Sequence, residues 1–153
     1  LASQAGDKTF WDRATLYALR GVLAAGETQR AIPFLSYYSK RRLLGDHVPY
    51  PVEAWPEGGQ RHLAAESALY YRVYTEGLFG IRPAGLRAFT LTPRLPDGWP
   101  SMKLGNVRAF GQAFDIAVTR AWAQQRVEVV AAGRTVFSQT IPSGGTATVR
   151  LSE

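Results

Sequence analysis

The chain has 153 residues, 18 Lys and Arg against 12 Asp and Glu, 46% hydrophobic residues and no Cys, with a mean hydropathy of -0.15. This composition belongs to a folded globular chain and excludes disorder and collagen-like structure. The lack of Cys excludes disulfide frameworks, thiol nucleophiles, thiolate zinc sites and iron-sulfur ligation, and it fixes no compartment, because a core of this size needs no covalent staple.

The chain opens on Leu1 rather than Met and has no charged segment followed by an apolar stretch, so any targeting peptide is expected outside it. It reads as a piece of a longer protein. Its longest apolar runs, such as Val22 to Ala25, fall far short of the roughly 20 residues of a membrane span, and no membrane partner is expected.

In chain order, the first expected element is a helix over Phe10 to Ala25. Phe10, Ala14, Tyr17, Ala18, Gly21, Val22 and Ala25 recur at helical spacing, Asp7 or Thr9 can cap the start, and Gly26 can stop the end. A second helix is expected over Glu27 to Leu44, with Ile32, Leu35, Tyr38 and Leu43 inward, Pro33 tolerated near the first turn or at a kink, and Gly45 closing it. A polar, proline-bearing loop from Asp46 to Arg61 then leads to a third helix over His62 to Gly77, carrying Ala65, Leu69, Val73 and Tyr74. Alternating short and long connections suggest αα-hairpins.

From Leu86 onward the apolar period becomes two. Residues 89–91, 107–110, 114–118, 127–130, 135–137 and 147–151 are six strand candidates, punctuated by Pro96-Asp97-Gly98 and Ser143-Gly144-Gly145. The expected fold is therefore α+β: a helical segment over 1–83 and an antiparallel β-sandwich over 84–153, divided at Arg82-Pro83-Ala84-Gly85.

Nine Lys and Arg stand against eight Asp and Glu in residues 1–80, and nine against four in residues 81–153, so the positive excess sits on the β half. Arg87, Arg94, Arg108, Arg120, Arg126, Arg134 and Arg150 are spread singly over different strands and turns, without the clustering or stacking aromatics of a nucleic-acid reader. No nucleic-acid partner is expected. Lys40-Arg41-Arg42 falls where cations oppose the negative end of a helix and needs no ligand.

The segment 47–62 packs two carboxylates, two imidazoles, an indole and a phenol into sixteen residues. Trp55 and Tyr50 offer flat faces on which sugar rings stack, and Glu53, Glu57, Gln60, Arg61 and His62 offer donors and acceptors for hydroxyl groups. Pro49, Pro51, Pro56, Gly58 and Gly59 hold such a loop in a particular shape. Glu53 and Glu57 equally suit capping of the third helix or pairing with Arg61 or Arg41. His47 and His62 lack the i, i+4 spacing of a metal pair, so no metal and no cofactor is expected. Ser67 lies outside any nucleophile elbow, and Tyr70, Tyr71 and Tyr74 read as packing residues.

The run Glu66-Ser67-Ala68-Leu69-Tyr70-Tyr71-Arg72-Val73-Tyr74-Thr75-Glu76-Gly77-Leu78-Phe79-Gly80-Ile81-Arg82-Pro83, followed by Leu91-Thr92-Pro93-Arg94-Leu95-Pro96-Asp97-Gly98-Trp99, resembles the C-terminal end of six-hairpin (α/α toroid) glycosidases and disaccharide phosphorylases. The likeness covers residues 47–120 well and the remainder loosely. It implies a partial toroid whose last helix ends in a Leu-x-Gly-Ile-Arg-Pro-like turn, then a strand over Leu91 to Trp99 and a small antiparallel β-sandwich, with the missing barrel helices of a parent protein upstream as partners. It also implies a carbohydrate substrate, with periplasmic or secreted location favoured over cytoplasmic. In glucoamylase-like members the loop entering the last barrel helix carries a Pro-Glu carboxylate that activates water. Pro56-Glu57 takes that place, making Glu57 the implied general base and Glu53 the second candidate, with Trp55, Gln60, His62, Tyr50 and Arg61 as substrate contacts. Gly58-Gly59-Gln60-Arg61-His62 departs from the phosphate cradle of the phosphorylases, which favours hydrolysis.

The implied activity is a glycoside hydrolase acting on a poly- or oligosaccharide. Its general acid is expected outside this chain, and either stereochemical course stays open. The alternative is a non-catalytic carbohydrate-binding or structural interaction module. The missing helices further imply that Tyr17, Leu35, Tyr38 and Leu69 are exposed and that the chain self-associates.

Overall fold

The computed structural model describes residues 3–5, 9–42, 54–55 and 64–151. The fold is α+β: three helices followed along the chain by a small antiparallel β-sandwich. Residues divide into two compact units, Leu1–Gly77 and Leu78–Glu153, against the division at 83/84 read from the sequence.

The first unit begins with a small antiparallel sheet in which β2 (Thr9–Trp11) lies between β1 (Ser3–Ala5) and β3 (Ala54–Trp55). Helix α1 (Asp12–Ala24) starts directly after it. The sequence expectation is corrected here: Phe10 and Trp11 are strand residues that pair with Trp55 and Ala54, not the first turn of the helix. Trp11 is the N-cap and makes no side-chain capping bond, so Thr9, in β2, is not the cap; Asp7 lies outside the described residues.

The buried face of α1 is also rotated from the expected one. Asp12, Leu16, Leu19 and Leu23 are buried, at i, i+4, i+7 and i+11, whereas Tyr17 is 48% exposed. Two apolar stripes run along this helix, and the one with the larger leucine side chains wins the interior, since buried apolar area sets the gain. Gly26 ends the helix as its sequence position suggests. It has φ 89°, its N–H donates to Leu23 O at 2.9 Å, and the Glu27 N–H reaches Val22 O at 3.1 Å, the paired bonds of a Schellman stop.

Helix α2 (Thr28–Arg42) follows at once and buries Thr28, Ala31, Leu35 and Tyr38. Pro33 lies inside it on the exposed side, past the first turn. The third helix, α3 (Ala64–Arg72), buries Glu66 and Leu69 and runs into a π-helical turn, Val73–Leu78. Leu35, Tyr38 and Leu69 are 4%, 5% and 8% exposed, which corrects the expectation that they face missing neighbours: α1 packs on both α2 and α3, and these side chains close that contact. Tyr17 alone of the four is exposed, together with Phe34, Tyr37 and Tyr71.

In the second unit β4 (Arg82–Gly85) and β5 (Ala88–Leu91) form a hairpin, with β10 (Ala147–Arg150) on the other side of β5. Strands β6 (Ser101–Ala109), β7 (Gln112–Ala121), β8 (Gln124–Ala131) and β9 (Arg134–Pro142) form a four-stranded antiparallel meander. All six expected strands are present. The additional one, β4, coincides with the Arg82-Pro83-Ala84-Gly85 segment read as a breaker; it lies at a sheet edge, where a proline without an N–H is tolerated.

Alternation builds the core. Phe114, Ile116 and Val118 of β7 and Val127, Val129 and Ala131 of β8 point inward. Phe89 of β5 is fully buried and stacks on Phe110 at 5.0 Å and Phe114 at 5.3 Å between centroids, which joins the two sheets. Gln125, also buried, donates Nε2 to Pro93 O at 3.1 Å and so ties the 92–96 segment under the meander.

Gly80 pins the entry to this unit. Its φ is +64°, its carbonyl accepts the Thr92 N–H at 3.2 Å, and a Cβ there would lie 2.3 Å from Thr92 O. Both the backbone conformation and the close approach exclude a side chain. Gly80→Ala is expected to cost about 3 kcal/mol, from roughly 1–2 kcal/mol of left-handed strain plus the clash. Urea denaturation of the chain measures it.

Candidate functional site

Trp55 lies in β3, where it pairs with Phe10. The other sequence candidates, Glu57, Glu53, Gln60, His62, Tyr50 and Arg61, lie outside the described residues. What the described residues do bring together is a polar cluster at the meeting of the three helices, built on Asp12, Arg13, Tyr38, Ser39, Glu66, Tyr70 and Tyr74.

Helical periodicity explains the cluster. Glu66, Tyr70 and Tyr74 recur every four residues along α3 and its π-helical continuation, one face of a helix, and Glu66 shares its inward face with Leu69 and Val73. Asp12 opens the inward stripe of α1, in the first turn, where the helix dipole favours a carboxylate. Its Oδ2 accepts the Tyr38 hydroxyl at 3.3 Å. The Tyr38 ring lies 5.9 Å from that of Tyr70.

Glu66 is the most unusual group. Its side chain is 0% exposed, its Oε1 accepts Arg13 Nε at 2.8 Å and Nη2 at 2.7 Å, and its Oε2 is buried without a hydrogen-bond partner. A carboxylate in this position is held by its cation, because desolvating an unpaired charge costs far more than an exposed pair gains. Arg13→Ala is expected to destabilise the helical unit by on the order of 2–3 kcal/mol. Adding Glu66→Gln, which removes the stranded charge, should restore part of that loss; thermal melts of the single and double variants test the pair.

The hydroxyls form a directed chain. The Ser39 hydroxyl has one hydrogen, and the Leu35 carbonyl at 2.7 Å must receive it, since a carbonyl cannot donate. Tyr70 at 2.7 Å therefore donates to Ser39, and Tyr74 at 2.6 Å donates to Tyr70. The order Tyr74 to Tyr70 to Ser39 to Leu35 clamps α2 to α3. Burial pushes the Tyr70 hydroxyl well above the ordinary tyrosine range; the Ser39 hydrogen bond opposes the shift and Tyr74 adds to it. Tyr70 is thus a neutral donor over the whole physiological range, suited to fixing geometry and not to carrying a proton away.

Of the three tyrosines that read as packing residues in the sequence, Tyr70 and Tyr74 pack, whereas Tyr71 is half exposed; Asp12, Arg13 and Glu66 carry no such sequence expectation. The available signal was Glu66 at i-3 from Leu69 and i-7 from Val73, a charge on the apolar stripe. Among the described residues no group of three or more His, Cys, Asp or Glu side chains could hold a metal ion. No helix there is long and apolar enough to cross a membrane. Comparison with protein-family models, with curated proteins and with solved structures gives no match.

Proposed function

We propose that this chain is the C-terminal part of a glycoside hydrolase acting on a poly- or oligosaccharide, in which Glu57 is the general base, Glu53 is the second candidate for that role, and the sandwich is a structural support. The observation that carries this reading is the order of elements over the residues that bear the resemblance. Residues 64–72 form α3, 73–78 its π-helical turn, and 82–91 the strand pair that opens the sandwich. A helical end followed by a small antiparallel sandwich is the succession the resemblance implies, although its implied strand over Leu91 to Trp99 is a strand only at Leu91 and its implied turn at Arg82-Pro83 is the start of β4.

An inverting hydrolase needs a protonated acid on the leaving oxygen and a carboxylate about 6.5–9.5 Å away that holds and deprotonates a water. Glu57 supplies the second of these, and the barrel helices upstream of this chain supply the acid. Trp55, Tyr50, Gln60, Arg61 and His62 line the sugar. The pair between half-exposed Arg13 and buried Glu66 and the Tyr74–Tyr70–Ser39 chain tie the three helices together.

The test is release of reducing ends from a panel of polysaccharides and aryl glycosides by the parent protein and by this chain alone. Turnover is expected from the parent and none from the chain. A parent gene with no hairpin-period helices upstream of Leu1 overturns the reading in favour of a non-catalytic module.

A further inference from the structure

The sandwich carries an aromatic feature that its own stability does not explain. Trp122 sits in the two-residue loop between β7 and β8 with 98% of its surface exposed and φ 57°. Each observation is unfavourable by itself. Full exposure wastes the largest apolar side chain, and a bulky residue in the left-handed region is a genuine outlier where Asn or Gly is the ordinary occupant.

The frame beneath it is rigid. Strands β7 and β8 pair without a break from Phe114↔Ala131 to Ala121↔Gln124. Arg120 binds the preceding loop to this hairpin: its N–H donates to Pro100 O at 2.9 Å, Nε to Trp99 O at 3.1 Å and Nη2 to Pro96 O at 2.6 Å. Trp99, 41% exposed, is thereby fixed at the same end of the sheet.

Beside this end runs a polar row. Ser101, Thr119, Arg126 and Thr140 are successive Cα partners across β6, β7, β8 and β9, and all four are exposed. They lie on the face opposite the buried Met102, Val118, Gln125 and Ile141. Neighbouring strands are about 4.8 Å apart, which spaces three hydroxyls and the Arg126 guanidinium along the row; Arg126 Nη2 also donates to Glu128 Oε1 at 2.9 Å, an exposed pair of the kind worth little in water, so a ligand carboxylate competes for it.

We propose that this end of the sandwich is a docking site for an acidic polysaccharide, with Trp122 and Trp99 stacking on sugar rings and the Ser101–Thr119–Arg126–Thr140 row meeting hydroxyl and carboxylate groups. The net charge of this half favours an acidic ligand, with nine Lys and Arg against four Asp and Glu over residues 81–153, spread singly, and Arg126 is the cation within the row. The surroundings select a glycan over a protein. Trp122 is flanked by Ala121, Ala123, Gln124 and Arg120, small or polar residues and not the contiguous apolar patch of a protein interface. The site rests on the carbohydrate side of the reading above but not on Glu57, so retention and turnover fail separately.

The test is electrophoresis of the full chain through native gels containing polygalacturonate or neutral xylan, with Trp122→Asn and Trp99→Ala alongside. Retardation by polygalacturonate is expected, weakened roughly tenfold in Trp122→Asn, while the melting temperature of that variant rises because Asn accepts the left-handed turn. No retardation by polygalacturonate overturns the proposal. Retardation that survives Trp122→Asn and disappears with salt also overturns it, as charge attraction alone. A Trp122→Asn chain that loses self-association but keeps its retardation assigns the surface to a second copy and overturns it as well.

Discussion

Glu57→Gln in the parent protein is expected to lower glycan turnover by about 100- to 10,000-fold, the range that removal of a positioned general base produces. Gln keeps the size and much of the hydrogen bonding of Glu but cannot take a proton from water. Substrate affinity should change far less, because the lost interaction belongs to the transition state. Stability should fall by at most about 1 kcal/mol, the value of a cap or surface ion pair. Rate and melting temperature measured on the same preparation separate the two roles: intact turnover with a lowered melting temperature makes Glu57 a structural residue and removes it from the proposed site. Glu53→Gln is the companion, expected to have the smaller effect.

Phe89→Ala is expected to destabilise the β-sandwich by about 3–5 kcal/mol, the cost of removing a buried aromatic ring from a packed core. Phe89 is 0% exposed and holds Phe110 and Phe114 at 5.0 and 5.3 Å, so the cavity opens where the two sheets meet and cannot be filled by one of them alone. Small domains have about 5–15 kcal/mol in total, and a large share of that would go. Guanidinium denaturation followed by near-ultraviolet circular dichroism reads the change. A cost below about 1 kcal/mol would mean that the sheets do not depend on this ring.

The polar cluster was only half legible in the sequence. Tyr70 and Tyr74 were visible as packing residues of a helix, and so they are, with their hydroxyls ordered through Ser39. Glu66 was not visible, because a charged side chain on an apolar stripe is read as a phase error until a cation is known to be available. That cation is Arg13, 53 positions away. The Glu57 and Glu53 candidates rest on residue types and on a likeness, and the described geometry neither includes nor replaces them.

For the fold, local pattern was enough to determine the three helices and six of the strands, but not the small β1–β2–β3 sheet, which falls where the sequence reads as helix and loop. Period-two alternation marked the strands of the meander and β5 and β10, Gly26 marked the break between α1 and α2, and the helical period marked α1, α2 and α3. These are signals carried within a few residues, so the sequence holds them by itself. Which face of α1 is buried, where that helix begins and whether Arg82-Pro83-Ala84-Gly85 is a turn or an edge strand were decided by partners distant in the chain. Leu16, Leu19 and Leu23 turn inward because α2 and α3 pack there. Phe10 and Trp11 leave the helix because β3 pairs with them, and β4 exists because β5 offers an open edge. Hydrogen-bond partners and buried area come from whatever arrives alongside, and only the tertiary structure supplies that.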